Sequence, residues 1–294
     1  MIRTLYITTW VVFATLVLGI LVIVLSFFIR SGNPMHRIAR FWGKSILVVS
    51  RIKVSVTGLS NIDPSSPYIY MANHQSNFDI PVLLGHLTVQ FRWLAKMELF
   101  KIPIFGRAMR KAGYISIDRY DRKSAFKSLD AAAKKIKSGV SVLIFPEGTR
   151  SRDGKIRPFK KGGFVLAIDS GVPIVPVVIK GTYAIMTKGK FRVNPGHVSM
   201  IVHKPIDDGV DGSRANQGRR GLHGHYYVEH LVGTSRCRMP RVVNNLVQSD
   251  VVSRQHSRAF MRQNAQSTRH RQNLIILARY KHGWRITRSF GRLN

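Results

Sequence analysis

The longest apolar run of the chain lies at its start. Residues 5–29 carry no charge, with Arg3 before them and Arg30, His36, Arg37, Arg40 and Lys44 after them. The run exceeds the roughly 20 residues that cross a bilayer core as a helix. The heavier positive flank is C-terminal, which predicts a cytoplasmic location for the rest of the chain. A secretory signal would have a shorter apolar centre and a small-residue cleavage site. Residues 1–33 therefore read as an uncleaved transmembrane anchor. Residues 34–50 follow as an amphipathic helix, with Met35, Ile38, Ala39 and Trp42 on one face and Arg37, Arg40 and Lys44 off it. Beside a membrane span this pattern predicts an interfacial helix; an ordinary core-packing helix fits it as well.

The pattern then alternates between two periods. Strands are predicted over residues 51–58, 67–72, 91–95, 113–119, 140–145 and 196–203. Helices are predicted from 80, where Pro81 suits a first turn, over 124–137, and over 162–169. The 124–137 segment repeats apolar residues at Phe126, Leu129, Ala133 and Ile136, and Gly139 stops it. Residues 172–180 form an apolar run with two prolines, Pro173 and Pro176, which predicts an edge strand or a loop. Strands alternating with helices predict an α/β fold, a largely parallel sheet flanked by helices, over residues 51–212.

Beyond residue 212 the periodicity is lost and the composition changes. The chain has 294 residues and a formal net charge of +33. Residues 1–212 hold 17 Lys and 14 Arg against 12 acidic residues, whereas residues 213–294 hold 1 Lys and 15 Arg against 2. The second segment reads as a basic, disordered tail. The abrupt change from lysine to arginine also fits a shifted reading frame near position 209. The single cysteine, Cys237, excludes an intrachain disulfide and fits a reducing compartment. The overall charge predicts attraction to anions such as lipid headgroups.

The candidate chemistry begins at residues 73–79, NHQSNFD. His74 and Asp79 stand five positions apart on a predicted strand-to-helix turn, where sites concentrate in open α/β sheets. A carboxylate that accepts the Nδ1 proton leaves Nε2 as a base and stabilises the imidazolium that forms. The spacing alone fits a satisfied core histidine and a helix cap better than a catalytic pair. Arg119, Lys96 and Arg150 each sit at the carboxyl end of a predicted strand, and arginine's planar fork suits a phosphate. No G-x-S-x-G elbow is present, and the histidines of the tail lack a partner set that would hold a metal.

Four stretches fall in order: NHQSNFD at 73–79, GYISIDR at 113–119, FPEGTRS at 145–151 and VPIVPVV at 172–178. Together they resemble the glycerolipid acyltransferase family, over roughly residues 37–208. The resemblance implies a membrane-bound enzyme of phospholipid biosynthesis. It would move a fatty acyl group from a thioester, acyl-CoA or acyl-carrier protein, to the sn-2 hydroxyl of lysophosphatidic acid, giving phosphatidic acid. It implies His74 and Asp79 as catalytic residues and Arg119, Glu147, Gly148, Thr149 and Arg150 at the glycerol phosphate. Lys96 is a further candidate for phosphate or thioester oxygen. No cofactor is expected beyond the thioester co-substrate, and no metal. Backbone N–H groups after Asn77 are candidate oxyanion donors. Related acceptors, glycerol 3-phosphate or another lysolipid, remain open. From a different class, a membrane-tethered nucleic-acid binder would explain the charge, but no nucleic-acid motif is present.

Overall fold

The structure is a computed structural model that describes residues 1–118, 120–206, 276–280 and 283–287. Arg119 and most of the basic tail, including the position of the proposed frame shift, lie outside the described residues. Two units are distinguished, Met1–Cys237 and Arg238–Asn294. In the second, β8 (Ile276–Tyr280) pairs antiparallel with β9 (Gly283–Thr287).

The first unit is built on seven strands: β1 (Ile52–Thr57), β2 (Ile69–Ala72), β3 (Phe91–Lys96), β4 (Ile115–Ile117), β5 (Ser141–Ile144), β6 (Ile174–Lys180) and β7 (Gly196–Val202). Their order across the sheet is β1-β7-β6-β2-β5-β3-β4. All neighbours run parallel except β6 and β7. The α/β class read from the alternating pattern is the class observed.

The central strands β2, β5 and β6 are buried on both faces, which is why they read as continuous apolar runs. Alternate residues feed two layers. Tyr70, Ala72, Phe91, Trp93, Leu143, Val175 and Val177 pack with Ile46 and Leu47 of α2 (Gly32–Val49) and with Val82 and Leu83 of α3 (Asp79–His86). Ile69, Met71, Val142, Ile144, Ile174 and Val178 pack with Ala132 and Ile136 of α6 (Arg122–Lys137) and with Phe164 and Leu166 of α7 (Gly162–Ser170).

The N-terminal apolar run forms α1 (Ile2–Phe28), the one helix among the described residues long and apolar enough to cross a membrane by length and composition. It does not stand away from the sheet as a pendant anchor. Near its start, Arg3 donates to Ser50 O at 2.6 Å, and Thr4 Oγ1 accepts from Val193 N at 3.2 Å. Further along, Trp10 Nε1 donates to Ser45 Oγ, Trp42 Nε1 donates to Thr15 Oγ1, and Val22 packs on Met35 and Ala112. The apolar face of α2 therefore meets protein: Met35 is buried against α1, and Gly43 lets α2 close on α3, where a Cβ would come 2.9 Å from Leu84 Cβ. The core-packing alternative holds for this face, because α1 and α3 cover it. Phe41 and Val48 of α2 stay exposed, as do Leu5, Phe13, Leu16, Ile20, Val24 and Phe27 of α1.

The two-proline run is not an edge. β6 lies between β2 and β7, with Met71 opposite Pro176. Pro176 is tolerated because the ladder shifts register beside it. Val177 pairs with Val202 but Ile174 pairs with Ile206, so three steps on β6 face four on the other strand. Pro176 offers its carbonyl there, accepting from His203 N at 2.9 Å, and its missing N–H falls in the bulge.

Candidate active site

Parallel neighbours bring their carboxyl ends together. β2 and β5 are in register from Ile69↔Val142 to Met71↔Ile144, so the loops that follow, 73–78 and 145–161, leave the sheet side by side. This edge is where ligands meet open α/β sheets.

The 73–78 loop is pinned from both sides. Asn73 lays its amide along β6, accepting from Ile179 N at 2.7 Å and donating to Ile179 O at 2.9 Å. Ser76 Oγ donates to Met186 O at 2.8 Å. Between these anchors, Asp79 turns back over the loop instead of capping α3. Its Oδ2 accepts from His74 Nδ1 at 2.8 Å, Gln75 N at 2.7 Å and Ser76 N at 2.8 Å. Three donors converging on one oxygen suit an acceptor-only carboxylate. The proton of the His74–Asp79 bond therefore sits on Nδ1, and Nε2 is the nitrogen that Asp79 leaves unengaged. The Asp79 side chain is fully buried while that of His74 is 14% exposed. The imidazole also lies flat on Phe145, with ring centroids 3.9 Å apart and planes 8° apart, and Trp93 backs Phe145 at 5.4 Å. The ring is thus fixed in direction by a carboxylate and in plane by an aromatic face.

The 145–161 loop is tied to the histidine through the backbone. Glu147 Oε1 accepts from His74 N at 2.6 Å, and Glu147 Oε2 accepts from Arg157 N at 3.0 Å. Ser151 N donates to His74 O at 2.9 Å, and Gln75 Nε2 donates to Gly154 O at 2.8 Å. Burial pushes the Glu147 carboxyl up to about 7, against the pull of the two backbone N–H groups. Gly148 has φ +72, the left-handed conformation that glycine takes readily, so it serves the turn.

Several comparisons bear on this edge. An acyltransferase family model matches residues 53–180. A chloroplastic 1-acyl-sn-glycerol-3-phosphate acyltransferase of Brassica napus is 39% identical over 205 residues, covering 65% of this chain and 59% of its own length. The chain thus spans little more than half of that relative. A 1-acyl-sn-glycerol-3-phosphate acyltransferase of Chlamydomonas reinhardtii is 32% identical over 240 residues, 80% of this chain and 72% of the relative. The crystal structure of the 1-acyl-sn-glycerophosphate acyltransferase PlsC of Thermotoga maritima superposes with a TM-score of 0.66 and 31% identity, over 81% of this chain and 97% of that one. The chain belongs to the 1-acyl-sn-glycerol-3-phosphate acyltransferase family.

The residues expected at the site separate into groups. His74 and Asp79 are hydrogen-bonded as expected. Gly148, Thr149 and Arg150 share the turn beside them; Thr149 is exposed and Arg150 half-buried. Glu147 is buried, and its two oxygens accept from backbone N–H groups of both loops. Lys96 ends β3 and pairs with Glu98 at 2.8 Å, both partners being largely exposed. The N–H groups after Asn77 are engaged within the turn: Phe78 N donates to Ser76 Oγ, Asp79 N to Ser76 O and Ile80 N to Asn77 O. They do not form the expected oxyanion site. Among the described residues no cluster of His, Cys, Asp and Glu could hold a metal ion.

Sequence reasoning missed Phe145 as the ring under His74, and it missed Lys188. The ammonium of Lys188 reaches across from the β6–β7 connection to donate to Thr149 Oγ1 at 3.1 Å and Arg150 O at 3.2 Å. No local signal marks either residue, because both contacts depend on strand order.

Proposed function

We propose that the protein transfers a fatty acyl group from an acyl thioester to the sn-2 hydroxyl of 1-acyl-sn-glycerol 3-phosphate, giving phosphatidic acid. The observation that carries this reading is the His74–Asp79 pair, with Nε2 unblocked by Asp79, beside a basic Glu-Gly-Thr-Arg turn at the carboxyl edge of a parallel sheet. The names of its relatives support the same acceptor.

In this mechanism Nε2 of His74 takes the proton of the acceptor hydroxyl as its oxygen attacks the thioester carbonyl. Asp79 stabilises the imidazolium that forms. The tetrahedral intermediate collapses with loss of thiolate, and the imidazolium returns the proton to sulfur. The products are an ester and a free thiol, with no enzyme-bound acyl group. The donor is acyl-CoA or acyl-carrier protein, and Arg150 with its neighbours holds the acceptor phosphate.

The acceptor and product are lipids, so the site works at a membrane surface. The exposed apolar side of α1, extended by Phe41 and Val48 of α2, is the surface that enters the bilayer, and the basic 155–161 loop adds attraction to anionic headgroups. The flanking charges of α1 favour the cytoplasmic leaflet of the cytoplasmic membrane.

The test is transfer from a labelled acyl thioester by the purified full chain, against a panel of 1-acyl-glycerol phosphate, glycerol 3-phosphate and uncharged or zwitterionic lysolipids. Labelled phosphatidic acid is expected as the main product. Free fatty acid alone would make the protein a thioester hydrolase, and faster transfer to another lysolipid would replace the acceptor.

A further inference from the structure

We propose that Lys188 binds the phosphate of the acceptor, and that it sets the preference for a phosphate monoester over a phosphodiester or zwitterionic headgroup. This rests on the acyltransferase reading above and adds to it a residue that lies outside all four sequence stretches.

Lys188 follows α8 (Thr182–Ile185), in the connection between β6 and β7. Its ammonium donates to Thr149 and to the carbonyl of Arg150, 39 and 38 residues away. The next residue, Ser151, donates its N–H to the carbonyl of His74. The lysine is therefore coupled to the reacting histidine through one short turn. An ammonium has three protons. Two are engaged by these bonds, and one remains for a ligand among the described residues.

The charges around Lys188 are of its own sign. Desolvation, then Arg152, Arg150 and Arg157, lower its pKa. Glu147 is drawn to Arg157, but none of these four cations is ion-paired to a carboxylate among the described residues. Both oxygens of Glu147 are taken by backbone N–H groups, and Asp153 Oδ1 accepts from Ser151 Oγ and Lys155 N. Four cations that act on one another beside the His74 loop, none of them ion-paired among the described residues, match a dianion. A phosphate monoester carries about −1.5 to −2 near neutral pH. A phosphodiester carries one negative charge, which a choline or ethanolamine group offsets. The lysine supplies a point charge beside the planar forks of the arginines.

A clamp that merely held the turn would give the same two hydrogen bonds, so the test must separate the two roles. Full-length wild type, K188M and K188R are compared for acceptor KM, donor KM, thermal midpoint and the rate ratio of 1-acyl-glycerol phosphate to lysophosphatidylcholine. Loss of one charge-assisted contact predicts a roughly tenfold or larger rise in acceptor KM for K188M. Donor KM should stay within about twofold, the rate ratio should fall, and K188R should recover most of both effects. An unchanged acceptor KM overturns the proposal. A parallel rise in both KM values with a lowered midpoint overturns it in favour of the clamp. Equilibrium dialysis with glycerol 3-phosphate keeps the two proposals separable. If the wild type transfers no acyl group at all, the activity fails by itself. Lys188 is then supported by dialysis if K188M binds the probe at least about tenfold more weakly, and overturned if the two bind alike or neither binds.

Discussion

The imidazole of His74 and the ring of Phe145 lie face to face, 3.9 Å between centroids and 8° from parallel. The two residues are 71 positions apart and meet because β2 and β5 are neighbours. Asp79 fixes one direction of the imidazole by a single hydrogen bond, which leaves rotation about that bond; Phe145 removes it. Phe145→Ala should therefore lower kcat more than acceptor KM. Aromatic pairs contribute about 0.5–1.5 kcal/mol beyond burial, so the loss should be roughly two- to thirteenfold. Phe145→Leu, which fills space without a ring face, should fall between. Steady-state kinetics decide it, and an alanine variant with wild-type kcat would remove the stacking from the mechanism.

The Asp79 carboxylate presents a harder substitution problem than an ordinary orienting residue. If Asn at this position keeps its oxygen toward His74, its amide nitrogen replaces Oδ1, which is buried without a hydrogen-bond partner among the described residues. If it is reversed, the nitrogen meets three donors. Both orientations also remove the countercharge of the imidazolium. Asp79→Asn should cost about 10²–10⁴-fold in kcat, similar to His74→Ala, and should lower the thermal midpoint where His74→Ala does not. Equal midpoints for the two variants would count against the convergence of donors described here.

Glu147 makes stability depend on pH. Its folded value, pushed up to about 7 by burial, lies above the ordinary glutamate range. The sign follows from linkage: the carboxyl's contribution is fully present below the unfolded value and is lost as pH rises to the folded one. Wild type should therefore lose stability relative to Glu147→Gln between about pH 4.5 and pH 7, and the difference should level off above that. Thermal midpoints of both proteins at pH 5 and pH 8 test this. A difference that is the same at both values would show that the carboxyl is not held near 7.

Read from hydropathy alone, α1 could be cut away and leave an active domain. Its contacts predict otherwise. Removal of residues 2–28 exposes the α1-facing side of α2, strips the partner of Val193 N, and frees Ser50 O. The truncated protein should lose its cooperative melt and should turn over even a short-chain, water-soluble acceptor at a small fraction of the wild-type rate. Full activity on that acceptor, with an unchanged midpoint, would restore α1 to the role of a simple tether.

Much of the molecule is legible in the sequence because the governing interactions are local. Periods of two and 3.6 located strands and helices, and short apolar runs marked the buried strands. The His74–Asp79 pair was visible because five residues span one tight turn. The four stretches carried the family. What sequence did not reveal depends on which strands become neighbours. β6 looked like an edge because of Pro176, and only the register shift against β7 explains how a central strand admits it. Nothing local to Glu147 told that backbone N–H groups from two loops would meet on its oxygens. The apolar face of α2 gave no sign of whether lipid or protein would cover it, since both satisfy the same pattern. Hydrophobic periodicity reports that a face leaves water. The packing of α1, α3 and the sheet decides what it leaves water for, and strand order brings Phe145 to the histidine and Lys188 to the turn beside it.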